Sequence, residues 1–268
     1  MVECDLLERA MSKRDNKNVH YLTSERRRRS FREFYFPRRH TVLLVTIVVF
    51  LAAWPLFAGA AGLAKIMFAV ALVGLLIAAL NAIQVEELVG ERERLLAERR
   101  RRKIIGWSLI GAATIERVVT LIWPSHELYL ISAVCYLLLF GFVTWEEFRA
   151  VIRQRVVSAE TISMSISVYL LMGITWGLLY VLIYLRHPQA FNFPGSTSPP
   201  LGDTIFPTLV YFSFATISTV GFGDITPMLM QARYTAVAEE ITGQFYLAIL
   251  VARLVGMYMS SNSPPPAN

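Results

Sequence analysis

Six apolar runs of about twenty residues constrain the fold of this chain more than any other feature. A helix needs roughly 20 apolar residues to cross the hydrocarbon core of a bilayer. The composition agrees, because 55% of the 268 residues are hydrophobic and only 17% are charged, which is unusual for a soluble domain. The sequence therefore predicts an all-α membrane protein with six transmembrane helices. The runs are residues 41–60, 63–83, 104–123, 127–144, 162–185 and 228–259.

Lysine and arginine are concentrated in alternate connections between these runs. Residues 1–40 hold eleven, residues 84–103 hold seven and residues 146–161 hold three, which together make 21 of the 26. Cytoplasmic connections of membrane proteins carry an excess of Lys and Arg. We therefore expect a multi-pass protein of the cell membrane, plasma or inner, with both termini in the cytoplasm. The first forty residues lack a signal-peptide core, so we expect no cleaved leader.

The same pattern divides the chain into segments and limits its partners. Arg26–Arg29 is a basic run of a kind also found in proteins that bind nucleic acid, but its position before the first apolar run is explained by membrane topology. We expect the lipid bilayer as partner, with anionic lipids at the basic segments, and no nucleic acid. The predicted segments are a cytoplasmic basic segment (1–40), a four-helix peripheral membrane domain (41–145), a cytoplasmic linker (146–161), a pore domain (162–259) and a short cytoplasmic tail (260–268).

The stretch between the fifth and sixth runs has a different character. His187 to Asp203 is rich in Pro, Gly and Ser and indicates an extracellular loop. Thr204 to Thr216 is apolar but only thirteen residues long, too short to cross a bilayer, so it predicts a re-entrant helix with Asp203 as a plausible N-cap. This helix would lead directly into the segment Thr219-Val220-Gly221-Phe222-Gly223-Asp224.

That segment has the residues needed to bind a dehydrated cation. Stacked backbone carbonyls replace the water around an ion without placing a fixed charge in the membrane. Aligning successive carbonyls requires alternation between right-handed and left-handed backbone, which glycine adopts most easily, and Gly221 and Gly223 have the required spacing. Thr219 adds a hydroxyl oxygen and Asp224 a carboxylate at the outer mouth. The predicted ligands are the carbonyls of Thr219, Val220, Gly221 and Phe222.

Residues 216–224 resemble the signature sequence of tetrameric potassium channels. The similarity continues in the sixth run, where residues 243–248 and 250–256 resemble the inner helix of simple prokaryotic potassium channels. The resemblance implies a homotetramer, a selectivity filter at 219–224, K⁺ as the permeant ion and no other cofactor. It also implies a gating hinge at Gly243, although a small residue for close helix packing is an equal alternative. The residues expected to line the pore at one-turn spacing are Gly243, Leu247, Val251 and Val255.

The sequence departs from the family at three places. Phe222 replaces the commoner Tyr, and Ala215 stands where some relatives have an acidic residue behind the filter. Voltage-gated relatives carry a basic residue at every third position of the fourth run, whereas residues 128–144 contain none. We therefore expect no steep voltage gating. Glu116 and Arg117 in the third run are interpreted as structural contacts between helices, with a sensor role as the alternative.

Other function classes fit the sequence less well. A nonselective cation channel of the same fold is the nearest alternative, followed by a component of a potassium-uptake transporter, which usually has four pore repeats in one chain. A non-conducting scaffold leaves residues 219–224 unexplained. No nucleophile with a base, metal cluster or phosphate loop is apparent, so the sequence predicts no enzyme and no catalytic residues.

Overall fold

The computed structural model describes residues 39–57, 101, 104–112, 114–115, 119, 126–154, 157–193 and 204–261. The described chain is mainly helical, with a two-stranded antiparallel ribbon. The elements are α1 (Arg39–Phe57), α2 (His126–Arg153), α3 (Ala159–Arg186), a 3₁₀ turn (Pro188–Ala190), β1 (Phe191–Asn192), α4 (Ile205–Ile217), β2 (Thr226–Pro227) and α5 (Met230–Ser261). Residues 104–112 are also helical.

Three of these helices, α2, α3 and α5, are long and apolar enough to cross a membrane. They correspond to the fourth, fifth and sixth apolar runs, and they support an all-α membrane protein. The first run corresponds to α1, and residues 104–112 form the described part of the third. The second run, Glu116 and Arg117, and most of the basic segments lie outside the described residues.

Helix α2 extends past residue 146, where the cytoplasmic linker was predicted to begin. Helix α2 continues without a break to Arg153. Neither Pro nor Gly interrupts residues 142–153, Arg149 pairs with Glu146 one turn earlier at 3.9 Å, and Arg153 lies in the last turn, where a cation complements the helix dipole. The connection to α3 is therefore only the few residues after Arg153.

Helix α3 packs against α1, α2, α4 and α5 and forms the centre of the described fold. One apolar cluster joins it to α1 and α2, with Leu43, Phe140 and Leu171 almost fully buried. A second cluster joins it to α4 and β1 through Tyr180 and Leu209. Because both faces of α3 are covered, half of its apolar window is buried, compared with 11% of that in α5.

Two glycines allow α4 to approach α3 closely. A Cβ added to Gly177 would lie 2.9 Å from the Cα of Val210, and one added to Gly173 would lie 2.6 Å from a ring carbon of Phe214. These distances are shorter than normal contacts, so a larger residue would push the helices apart. The glycines form a G-x-x-x-G pattern typical of close helix pairs in membranes, a signal the sequence analysis did not use.

The two strands of the ribbon pair the segment after α3 with the segment before α5. Phe191 pairs with Pro227 and Asn192 with Thr226, and the Met228 amide donates to the Ala190 carbonyl at 2.7 Å. The segment 218–225 is thereby fixed at both ends, by α4 before it and by the ribbon after it.

Candidate functional site

Helix α4 ends directly before the candidate filter segment and fixes where that segment begins. It has thirteen residues, as the re-entrant prediction required. Its N-cap is Thr204, which makes no side-chain capping bond, while the expected cap Asp203 lies outside the described residues. At the other end the amide of Ser218 donates to Phe214 and that of Thr219 to Thr216, so the helix closes with two tight turns.

The backbone after α4 alternates in handedness. Thr219, Gly221 and Gly223 have φ of 60°, 56° and 78°, whereas no other described residue that is not glycine has positive φ. The two glycines are at the positions where left-handed backbone was expected. Thr219 is β-branched, so its left-handed conformation costs about 1–2 kcal/mol and must be imposed by its surroundings.

Two hydrogen bonds fix the start of this alternating segment to α4. The amides of Val220 and Gly221 both donate to the Ala215 carbonyl at 3.0 Å. That carbonyl lies in the last turn of α4, where helix carbonyls have no intrahelical partners. The segment is therefore held by the helix end rather than by a side chain at position 215, where some potassium channels have an acidic residue.

Phe222 stacks on Tyr211 of α4, and Asp224 bonds to the backbone that follows it. The rings of Tyr211 and Phe222 are stacked, with centroids 6.2 Å apart and planes 6° from parallel. The Asp224 carboxyl accepts from the Ile225 amide at 3.1 Å. The aromatic ring at position 222 thus contacts the neighbouring helix without the hydroxyl that tyrosine would supply.

The whole segment from Ser218 to Asp224 is exposed in the single chain. Phe222 is 67% exposed and Val220 53% exposed. Both are large apolar side chains that the described structure leaves more than half exposed, although Phe222 stacks on Tyr211. The segment therefore presents apolar side chains on the surface of the single chain.

Gly243 is buried where α5 crosses the end of α4. An added Cβ would lie 2.6 Å from the Cγ1 atom and 2.9 Å from the carbonyl oxygen of Ile217. This contact is the close packing that was the alternative to a hinge. The other residues expected to line a pore, Leu247, Val251 and Val255, are exposed in the single chain.

Glu239 is a polar site residue that the sequence analysis missed. It is completely buried on α5, where its carboxyl accepts from the Tyr180 hydroxyl of α3 at 2.5 Å and hydrogen-bonds to the Ser213 hydroxyl of α4. An ionisable residue inside a predicted span was the signal that would have identified it. One side chain therefore joins the three helices around the candidate filter.

Arg253, near the other end of α5, is the second polar contact that sequence analysis did not place. Its guanidinium donates to the carbonyls of Val151, Ile152 and Gln154 at the end of α2. The Val151 bond is 3.0 Å and the Gln154 bond 2.7 Å. A cation at the C-terminal end of a helix satisfies its open carbonyls and complements its dipole.

Comparison with known proteins identifies the part of the chain that holds this site. Residues 168–260 match the model of a family described as "Ion channel". The match covers about a third of the chain and includes most of α3, all of α4, residues 219–224 and nearly all of α5. No curated protein and no solved structure matches the chain. The family match supports ion-channel function in a membrane and points to a channel rather than an enzyme.

Proposed function

We propose that this chain is the pore-forming subunit of a homotetrameric, potassium-selective channel that conducts K⁺ passively across the cell membrane. The observation that carries the proposal is the segment 219–224, which follows a thirteen-residue helix, lies between two membrane-length helices and alternates in backbone handedness at Thr219, Gly221 and Gly223. Its carbonyls from Thr219 to Phe222 would replace the water of a K⁺ ion.

Four copies are proposed because one segment contributes only one carbonyl to each layer of ligands. A cage around the ion needs several such loops arranged about an axis, and closed symmetry is the usual solution in oligomers. Two observations support further copies: the segment is exposed in the single chain, and only 11% of the apolar window of α5 is buried. In the proposed tetramer the inner helix α5 lines the pore with Leu247, Val251 and Val255, whereas Gly243, expected from the sequence to line it too, packs against Ile217 of α4.

The proposed topology follows the distribution of basic residues. Both termini lie in the cytoplasm, and the basic segments contact anionic lipids. The end of α4 then points its partial negative charge toward the pore, which favours a cation there.

Reversal potential in planar bilayers tests the proposed selectivity most directly. With K⁺ on one side and Na⁺ on the other, a potassium channel reverses far from zero, near the potassium equilibrium potential. A nonselective cation channel of the same fold reverses near zero, and a non-conducting scaffold gives no current. Either of these results contradicts the proposal, as does coupled uptake in place of passive current.

The filter assignment predicts that Gly223→Ala abolishes selective conduction. A Cβ at φ 78° strains the backbone at the point where the carbonyls must align. Gly111→Ala is a matched control, because an added Cβ there meets no atom within 4 Å. The ratio of K⁺ to Na⁺ permeability is measured for both variants. Unchanged selectivity in Gly223→Ala would place the filter elsewhere.

We also propose that opening does not depend steeply on voltage. Moving one charge through the membrane field is worth about 2.3 kcal/mol per 100 mV, and steep gating uses roughly three to four charges per subunit. In α2 the basic residues are Arg149 and Arg153, both near its end. Conductance measured over a wide voltage range in symmetric K⁺ is expected to give a shallow curve. An effective gating charge of about twelve per tetramer contradicts this expectation.

A further inference from the structure

Glu239 lies where the three helices around the candidate filter meet. It belongs to α5, is 0% exposed, and contacts Tyr180 of α3 and Ser213 of α4. The conduction mechanism proposed above uses backbone carbonyls and does not involve the Glu239 carboxyl. A buried ionisable group in a membrane span is costly, so its presence needs a physical reason.

The surroundings of Glu239 do not favour a negative charge. Its contacts are two neutral hydroxyl groups, and within the described residues it forms no ion pair. An ionised carboxylate without a cationic partner is strongly disfavoured in a buried environment, and such a group instead keeps its proton. The charge balance therefore favours neutral Glu239.

The number of available hydrogen atoms leads to the same conclusion. The Ser213 hydroxyl has one hydrogen, yet its oxygen hydrogen-bonds to both the Gly173 carbonyl, at 2.7 Å, and the Glu239 carboxyl. A carbonyl and an ionised carboxylate only accept, so one hydrogen cannot serve both. If Glu239 is protonated, it donates to Ser213, Ser213 donates to Gly173, and Tyr180 donates to the second oxygen of Glu239. Every member is then satisfied.

This chain of hydrogen bonds fixes α4 relative to its neighbours at a point close to the filter. Ser213 is two residues before Ala215, whose carbonyl accepts from the amides of Val220 and Gly221. Glu239 is one helical turn before Gly243, which packs directly on Ile217. A change at Glu239 therefore displaces the groups that hold the start of the filter segment.

We propose that Glu239 is a protonated, neutral hydrogen-bond donor that positions the pore helix and thereby determines the ion selectivity of the filter. The proposal rests on the proposed channel function for its effect on selectivity. The structural part of the proposal, that the Glu239 carboxyl is protonated and donates to Ser213, does not depend on channel function.

The variants Glu239→Gln and Glu239→Ala test the positioning role. Glutamine presents an N–H donor and a carbonyl acceptor, as the protonated acid does, so we expect a K⁺/Na⁺ permeability ratio close to that of the unmodified channel. Alanine leaves Tyr180 and Ser213 without their partner, and we expect the ratio to fall by about tenfold, a change of about 1.4 kcal/mol. Glu240→Gln is the control, because Glu240 is the adjacent carboxyl and is exposed.

Two results of this experiment overturn the proposal. If Glu239→Gln loses selectivity as fully as Glu239→Ala, an ionised carboxylate is required. If Glu239→Ala keeps full selectivity, the residue has no positioning role. Loss in Glu239→Ala with retention in Glu239→Gln supports it, because a residue needed only for its negative charge is not rescued by a neutral amide.

Infrared spectroscopy gives a readout that does not depend on conduction. The purified full chain at neutral pH is expected to show the carbonyl stretch of a protonated carboxyl, which disappears in Glu239→Gln and stays in Glu240→Gln. A spectrum without that band overturns the proposal even if Glu239→Ala does not fold. If instead the band is present and the unmodified channel does not select K⁺, the proposed function fails while the protonation of Glu239 stands.

Discussion

The two ends of α5 are attached to the rest of the protein in different ways. At the filter end, Glu239 and Gly243 are buried against α3 and α4 through hydrogen bonds and direct steric contact. At the far end, the attachment includes Arg253, whose guanidinium donates to three carbonyls around the end of α2. Gly256, close to Arg253, is exposed, and an added Cβ there meets no atom within 4 Å.

This difference separates a region held by close packing from one held by hydrogen bonds to a charged side chain. Closely packed backbones cannot shift by a few tenths of an ångström without a clash, because protein interiors are packed like crystals. A partly exposed charged side chain at a helix end can exchange carbonyl partners for water at lower cost. We therefore expect the filter end of α5 to tolerate added side-chain volume less well than the region around Gly256.

The largest expected effect is the difference between the same substitution at the two ends. Gly243→Ala forces a methyl group against the Ile217 carbonyl, and overpacking of this kind costs about 1–3 kcal/mol. Gly256→Ala meets no obstacle and gains about 1 kcal/mol from the higher helix propensity of alanine. The free energy of unfolding of the purified protein measures both. Equal effects at the two positions would show that the two ends do not differ in packing.

A smaller effect is expected from Arg253→Gln. Hydrogen bonds from a charged donor are worth about 1.5–3 kcal/mol, and partial exposure puts this site at the lower end of that range. Arg253→Lys is the informative companion, because it keeps the charge but not the planar group that reaches three carbonyls. We expect lysine to recover less than half of the lost stability, measured by thermal unfolding. Full recovery by lysine would mean that charge alone matters here.

The smallest expected effect is that of Tyr169→Phe. The Tyr169 hydroxyl of α3 donates to the Ile217 carbonyl at 3.2 Å, next to the point where Gly243 packs. Removing one neutral hydrogen bond costs about 0.5–1.5 kcal/mol. Tyr234→Phe, on an exposed side chain of α5, is the control and is expected to change the free energy of unfolding by less. If Tyr169→Phe instead changed the K⁺/Na⁺ permeability ratio without loss of stability, the Tyr169 hydroxyl would have a role in positioning the filter.

Much of the fold followed from patterns that are local in the chain. Apolar length predicted α2, α3 and α5, and the thirteen-residue helix before the filter segment was expected almost to the residue. The left-handed backbone at Gly221 and Gly223 was also expected, because only glycine takes that conformation at little cost. Helix α2 extends beyond the end of the fourth apolar run, because a change from apolar to charged residues marks a change of environment and does not stop a helix.

The contacts that position the site were harder to predict. Thr219 adopts left-handed backbone although its own preference is against it, because the bonds from Val220 and Gly221 to Ala215 impose the turn. Glu239 and Arg253 were visible as charges in an apolar run, but their partners are 26 or more residues away in the sequence. Gly243 was expected as a hinge or a packing residue, and spacing alone did not distinguish the two.

The sequence by itself determined that α2, α3 and α5 are membrane-length helices, where the short helix and the glycine pattern lie, and that the chain has the composition of a membrane protein. Those properties depend on hydrophobic length and on the backbone preferences of single residues, which are fixed by neighbours in the chain. Only the tertiary structure decided that Gly173, Gly177 and Gly243 bring α3 and α5 close to α4 and that Glu239 joins all three helices. Such contacts depend on how separate helices pack, because a buried polar group must find its partner in whichever helix lies against it.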